Sequence, residues 1–106
     1  MLVKIHERKI FSGGREQIRR IIAICDKELL GKVFTEGERV LDLKIYKSFY
    51  DGDKLAEEEI IEIIKSAVNA NIVGKKSINL ASKAIKIEKK NIKKIAGIPH
   101  LQIYKV

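Results

Sequence analysis

Apolar and polar positions alternate at the start of the chain. Over residues 2–10, Val3 and Ile5 fall on one side and Lys4 and His6 on the other, a period of two that predicts a strand. Ser12, Gly13 and Gly14 then supply the backbone freedom of a tight reversal. Residues 17–25 predict the returning strand, whose run Ile21, Ile22, Ala23, Ile24 predicts burial on both faces at its end. A two-stranded hairpin therefore opens the fold. Lys27, Glu28, Leu29 and Leu30, stopped by Gly31, read as one helical turn or a turn-rich loop. Glu36 and Gly37 mark another reversal, and Val40, Leu41, Leu43 and Ile45 predict a third strand over residues 39–46. The run Phe49, Tyr50, Asp51, Gly52, Asp53 carries the strongest turn signal in the chain.

The period then changes. Ile60, Ile63, Ile64, Ala67 and Val68 recur at helical spacing and predict an amphipathic helix that ends by Gly74. Glu57, Glu58 and Glu59 suit its first turn, where carboxylates meet the positive end of the helix dipole. A second helix is expected over residues 75–85, with Ile78, Ala81 and Ile85 inward. Residues 86–95 admit two readings. Continued as helix, they put Lys83, Lys86, Lys89, Lys90, Lys93 and Lys94 on one face; as loop and short strand, Ile92 and Ile95 anchor them and the lysines project less regularly. Gly97 and Pro99 break any helix, and Leu101, Ile103 and Val106 predict a closing strand. The fold class is α+β: a mostly antiparallel sheet opened by an N-terminal hairpin and closed by a C-terminal strand, with two consecutive helices on one face. With 106 residues and no repeat or linker, one domain spanning residues 1–106 is expected.

Charge sharpens this picture. The net charge is +8, and residues 75–106 hold nine lysines against one acid, Glu88, leaving thirteen basic and thirteen acidic residues before them. A/T-rich codons also favour lysine and isoleucine, but that bias explains abundance better than position. A concentrated cationic strip predicts a polyanionic partner, RNA or a ribonucleoprotein, held through Lys75, Lys76, Lys83, Lys86, Lys89, Lys90, Lys93 and Lys94. Lysine without arginine favours phosphate contact over reading of bases. Tyr46, Tyr50 and Tyr104 are candidates for base stacking, although scattered tyrosines are more often core or rim residues. The alternative partner is an acidic protein docked on the same strip or on a sheet edge.

Catalytic and metal chemistry have little to build on. The single cysteine, Cys25, makes no internal disulfide, and with a charged N-terminal segment and no long apolar run it predicts a cytoplasmic protein without a membrane span. Cys25, His6 and His100 show no paired ligand spacing, so neither metal nor cofactor is expected. A thiol nucleophile at Cys25 served by His100 is a third reading, weighed against a small core thiol. Gly74, Lys75, Lys76 and Ser77 resemble the tail of a P-loop, but Asn69 and Lys76 break the motif. What survives is a glycine before a helix whose N–H groups hold one phosphate, against a helix–helix turn that uses Gly74 for its backbone.

Five pieces stand in order: Cys25-Asp26-Lys27-Glu28-Leu29-Leu30-Gly31-Lys32, Glu36-Gly37, Phe49-Tyr50-Asp51-Gly52, Asn71-Ile72-Val73-Gly74 and Gly97-Ile98-Pro99-His100-Leu101-Gln102. Over nearly its whole length the chain resembles an archaeal family of small proteins, the domain of unknown function 424. The resemblance implies an archaeal cytoplasmic protein of one compact domain and brings no catalytic roles. It singles out Cys25, Asp26, Lys32, Asn71, Gly74 and His100, which either line one shared surface or act as turn formers and helix caps. Leu101 departs from the small residue of relatives, and residues 86–94 are not uniformly basic in them. The expected function is that of a non-enzymatic RNA-associated protein, linked to translation, that contacts phosphates through its C-terminal lysines.

Overall fold

The opening alternation builds a longer hairpin than the pattern predicts. In a computed structural model that describes residues 1–105, β1 (Leu2–Ser12) and β2 (Arg15–Cys25) pair antiparallel from Leu2↔Cys25 to Ser12↔Arg15. Gly13 and Gly14 close it with φ of 60° and 74°, the paired positive values of the turn that matches strand twist.

The chain then leaves this sheet for a small excursion. A 3-10 turn (Lys27–Leu29) leads to a separate hairpin of β3 (Val33–Glu36) and β4 (Arg39–Asp42), followed by a short helix α1 (Lys47–Tyr50). The expected strand over residues 39–46 stops at Asp42, because its Oδ1 accepts the Lys44 and Ile45 N–H groups at 3.1 and 2.8 Å and turns the backbone. After β5 (Asp53–Lys54) comes α2 (Glu57–Ser66), opened by Glu57, Glu58 and Glu59 as the dipole argument requires.

The helix is shorter than its apolar stripe, and Ala67 and Val68 lie outside it. It ends at Ser66, and Asn69–Val73 forms β6, followed by α3 (Lys75–Ala84). β6 lies between β2, parallel to it, and β8 (Ile98–Tyr104), antiparallel. Burial on both faces explains the strand: Ala70 and Ile72 turn to the helices and Val73 to the opposite side. Residues 86–95 take the loop-and-strand form, with a 3-10 turn at Lys89–Asn91 and β7 (Ile92–Ile95) paired to β8. The closing strand is β8, and Val106, which was expected to complete it, lies outside the described residues.

The result is α+β, a six-stranded sheet in the order β5-β1-β2-β6-β8-β7 with one parallel pairing. α2 and α3 cover one face, packing Ile60, Ile64, Ile78 and Leu80 on Val3, Ile24, Ile72 and Leu101. Each isoleucine so buried contributes about 1.5–3 kcal/mol. The other face carries Ala23, Cys25 and Val73 beneath Leu43 and Tyr50, flanked by Phe34 and Leu41 of the small hairpin.

Candidate functional site

The parallel pairing of β2 and β6 delivers their C-terminal ends, Cys25-Asp26 and Val73-Gly74, to the same edge of the molecule. There α3 begins without a local cap, since Gly74 precedes it and no acid occupies its first turn. Asp26 supplies the anion from fifty residues away. Its carboxylate accepts the Lys76 N–H at 3.1 Å, the Ser77 N–H at 2.8 Å and the Ser77 hydroxyl at 2.6 Å. Asp26 and Ser77 are both buried. Gly74 makes room for it: φ is 110°, and a β-carbon there would overlap the Asp26 carboxylate.

This overturns the phosphate expectation at Gly74. The N–H groups at the start of α3 are occupied by the protein's own carboxylate, so they offer no vacant anion cradle. Nor is Gly74 a helix–helix turn, because it joins β6 to α3. The sequence reading allowed Asp26 a helix-cap role but did not identify the helix it caps. The legible signal was a helix start with glycine at its cap and no acid in its first turn, which leaves N–H groups for a distant acceptor.

Beside this junction lies a groove of about 640 Å³ between α3 and β7. Lys75, Lys76, Lys89 and Lys94 stand on its walls, and Ile78, Ile87, Ile92 and Pro99 form an apolar floor. The Lys76 ammonium pairs with Glu28 at 3.0 Å, which raises its pKa. Lys75, Lys89 and Lys94 make no ion pair among the described residues. The remaining lysines are elsewhere. Lys90 is paired with Glu88 at 3.2 Å, and Lys83 and Lys86 lie outside the groove lining. Strand alternation turns Lys93 away from Lys94, to the opposite face opposite His100.

A family model described as protein of unknown function (DUF424) matches residues 15–106. The chain belongs to the DUF424 family. Its fold is similar to that in a crystal structure of an uncharacterized conserved protein from Methanopyrus kandleri, with a TM-score of 0.69 and 22% identity over 96% of this chain and 91% of that one. No curated protein matches the chain. The family match starts at Arg15, the first residue of β2.

Of the six residues singled out in this DUF424 chain, four meet at one edge. Cys25 pairs with Val73 and Val73 with His100, while Asp26 bonds the α3 start across Gly74. Asn71 sits two positions further down β6 on the same face as Val73, between Ala23 and Gln102. Lys32 belongs to the small-hairpin side, where its carbonyl accepts the Leu43 N–H at 2.8 Å. The convergence is structural at Cys25. Its thiol donates to the Asp26 carbonyl at 3.2 Å, and burial with the neighbouring Asp26 charge pushes it up to about 12. The imidazole Nε2 of His100 is buried with no hydrogen-bond partner among the described residues, so it makes no hydrogen bond to that thiol. Burial first, and then the Lys93 charge, hold the His100 pKa below 6.5. Among the described residues no group of three His, Cys, Asp or Glu gathers as a metal site needs, and no helix is long and apolar enough to cross a membrane.

Tyr50 is buried, whereas Tyr46 and Tyr104 are well exposed.

Proposed function

We propose that this DUF424 protein is a non-enzymatic RNA-associated protein that holds phosphates along the lysine-walled groove between α3 and β7. The observation that carries the reading is the groove itself: Lys75, Lys89 and Lys94, with no ion pair among the described residues, line it together with the apolar Ile78, Ile87, Ile92 and Pro99. Ammonium groups on a wall neutralise successive phosphates, and an apolar floor accepts a base or ribose edge without demanding a particular hydrogen-bond pattern. Lys93, Lys86 and Lys83 add long-range attraction from outside the groove. The reading includes a cytoplasmic setting, which the lone unpaired thiol of Cys25 suits.

Fluorescence anisotropy of a labelled single-stranded RNA across a salt series tests it. The expected result is linear loss of log K with log salt, and a slope shallower by about 2 for the combined Lys75→Gln, Lys89→Gln, Lys94→Gln variant. Absence of RNA binding at low salt would reject the reading. Capture from lysate of an acidic protein that resists nuclease treatment would favour the docking alternative.

A further inference from the structure

Four of the chain's five arginines, Arg8, Arg15, Arg19 and Arg20, lie on the β1–β2 hairpin, while residues 75–106 carry lysine alone. This hairpin leaves the sheet. β6 pairs with β2 only over residues 22–25, and β5 meets β1 only at Leu2 and Val3. From His6↔Ile21 to Ser12↔Arg15 the strands pair with no further strand among the described residues, a ribbon about 23 Å long. Its root is held. His6 Nε2 donates to the Phe49 carbonyl at 2.9 Å with the two rings stacked at 4.6 Å, and the Lys4 ammonium donates to the Ser48 carbonyl at 2.6 Å.

The pleat sorts the ribbon's charges. On the helix side, Arg20 bonds Glu7 through Nε and Nη2 at 3.2 and 2.9 Å, and Lys9 pairs with Glu16 at 3.4 Å. That face is neutral. On the other side, Arg8 faces Arg19 directly across the ladder and Arg15 faces Ser12, with Ile10 and Gln17 between them and no carboxylate. None of these three arginines makes an ion pair among the described residues. Like charges directly opposite weaken a strand pair, so the Arg8–Arg19 pairing has no account in stability.

We infer that the Arg8, Arg15 and Arg19 face of the ribbon is an arm that grips the phosphate backbone of a structured RNA. Guanidinium forks bind phosphate oxygens two at a time, which the lysines of the groove cannot do. The Arg8–Arg19 pair and Arg15 stand about 13 Å apart along the strand, so they engage separate phosphates. The arm rests on the RNA reading above but uses other residues at the other end of the molecule. β2 starts at the ribbon tip and ends at the groove edge, along a body whose longest dimension is 45 Å. A ligand touching both must be comparably long, which favours a duplex stem over a nucleotide.

Anisotropy with a labelled RNA hairpin of about 16 base pairs, the span of a double-stranded RNA module, and with poly-L-glutamate as the protein-like polyanion, tests the arm. For the Arg8→Gln, Arg15→Gln, Arg19→Gln variant, affinity should fall about tenfold or more and the salt slope should be shallower by about 2–3. The corresponding triple lysine replacement should restore the slope but only part of the affinity. The groove variant Lys75→Gln, Lys89→Gln, Lys94→Gln should keep the ribbon-dependent part of the binding. Wild-type affinity and slope in the glutamine ribbon variant would overturn the arm even if the groove binds RNA. Poly-L-glutamate bound as tightly as the hairpin would overturn it in favour of an acidic polypeptide. Loss of binding in the groove variant alone would likewise reject the arm while upholding the groove.

Discussion

In the body of the molecule two carboxylates are spent on backbone N–H groups, whereas one face of the β1–β2 ribbon leaves its arginines over. In the body, the Asp26 carboxylate is spent on the first turn of α3, and the Glu36 carboxylate accepts the Ala96 N–H at 2.9 Å, tying the small hairpin to the β7–β8 turn. On the ribbon, one face cancels its charges in pairs and the other holds three arginines with no partner among the described residues. The contrast separates polar residues that build the fold from those that remain available to a ligand. Asp26, Cys25 and His100 fall in the first class. Lys75, Lys89, Lys94 and the ribbon arginines fall in the second.

The sharpest way to break the distinction is to remove a consumed charge. Asp26→Ala strands two N–H groups and a hydroxyl in a buried site, and should destabilise the protein by about 3 kcal/mol in urea unfolding. A loss below about 1 kcal/mol would mean that Asp26 is not structural.

Next in size is the response to pH. The Cys25 thiol ionises at an ordinary 9.0 when exposed and at about 12 when folded, so the unfolded chain releases its proton first. Its contribution to stability is therefore complete below pH 9 and is lost as pH rises toward 12. For His100 the folded pKa lies below 6.5, so stability should fall as pH drops below 6.5 toward that lowered value. Unfolding midpoints across pH check both signs, and iodoacetamide should label Cys25 only in denaturant. Rapid labelling of native protein at pH 8 would move Cys25 into the available class.

The smallest effect should come from the ribbon. Phe11, 81% exposed near the turn, packs on nothing that folding buries, so Phe11→Ser should change stability by less than about 0.5 kcal/mol. A larger loss would show that the ribbon folds back on the body.

Much of the fold was legible because its patterns are local. The period-two run of β1, the Ser12-Gly13-Gly14 reversal, the acidic start of α2 and the inward face of α3 each declare themselves within a few residues. β6 was illegible for a physical reason. Ala67 and Val68 prolong the helical stripe of Ile60, Ile63 and Ile64, and a strand covered on both faces shows no alternation to announce itself. The Asp26 contact to α3 spans fifty residues and depends on a strand pairing that no local pattern encodes. At the candidate surfaces, the even count of thirteen basic and thirteen acidic residues before residue 75 hid the arginines, and only the pleat shows that Glu7 and Glu16 neutralise one face of the ribbon and leave the other bare. The lysine strip was visible in sequence, yet its split between Lys93 and Lys94 required the period-two geometry of β7.

The exposed margins of the strands also bear on self-association. β7 ends the sheet with Lys93 and Lys94, and the ribbon borders its open hydrogen-bonding edges with Arg8, Lys9, Arg15 and Arg19. A strand arriving from a second copy would bring matching cations against them, so edge-to-edge growth into fibrils is opposed by the same groups proposed to hold a polyanion. Replacing those cations with apolar residues would leave the same margins open to edge-to-edge pairing between copies.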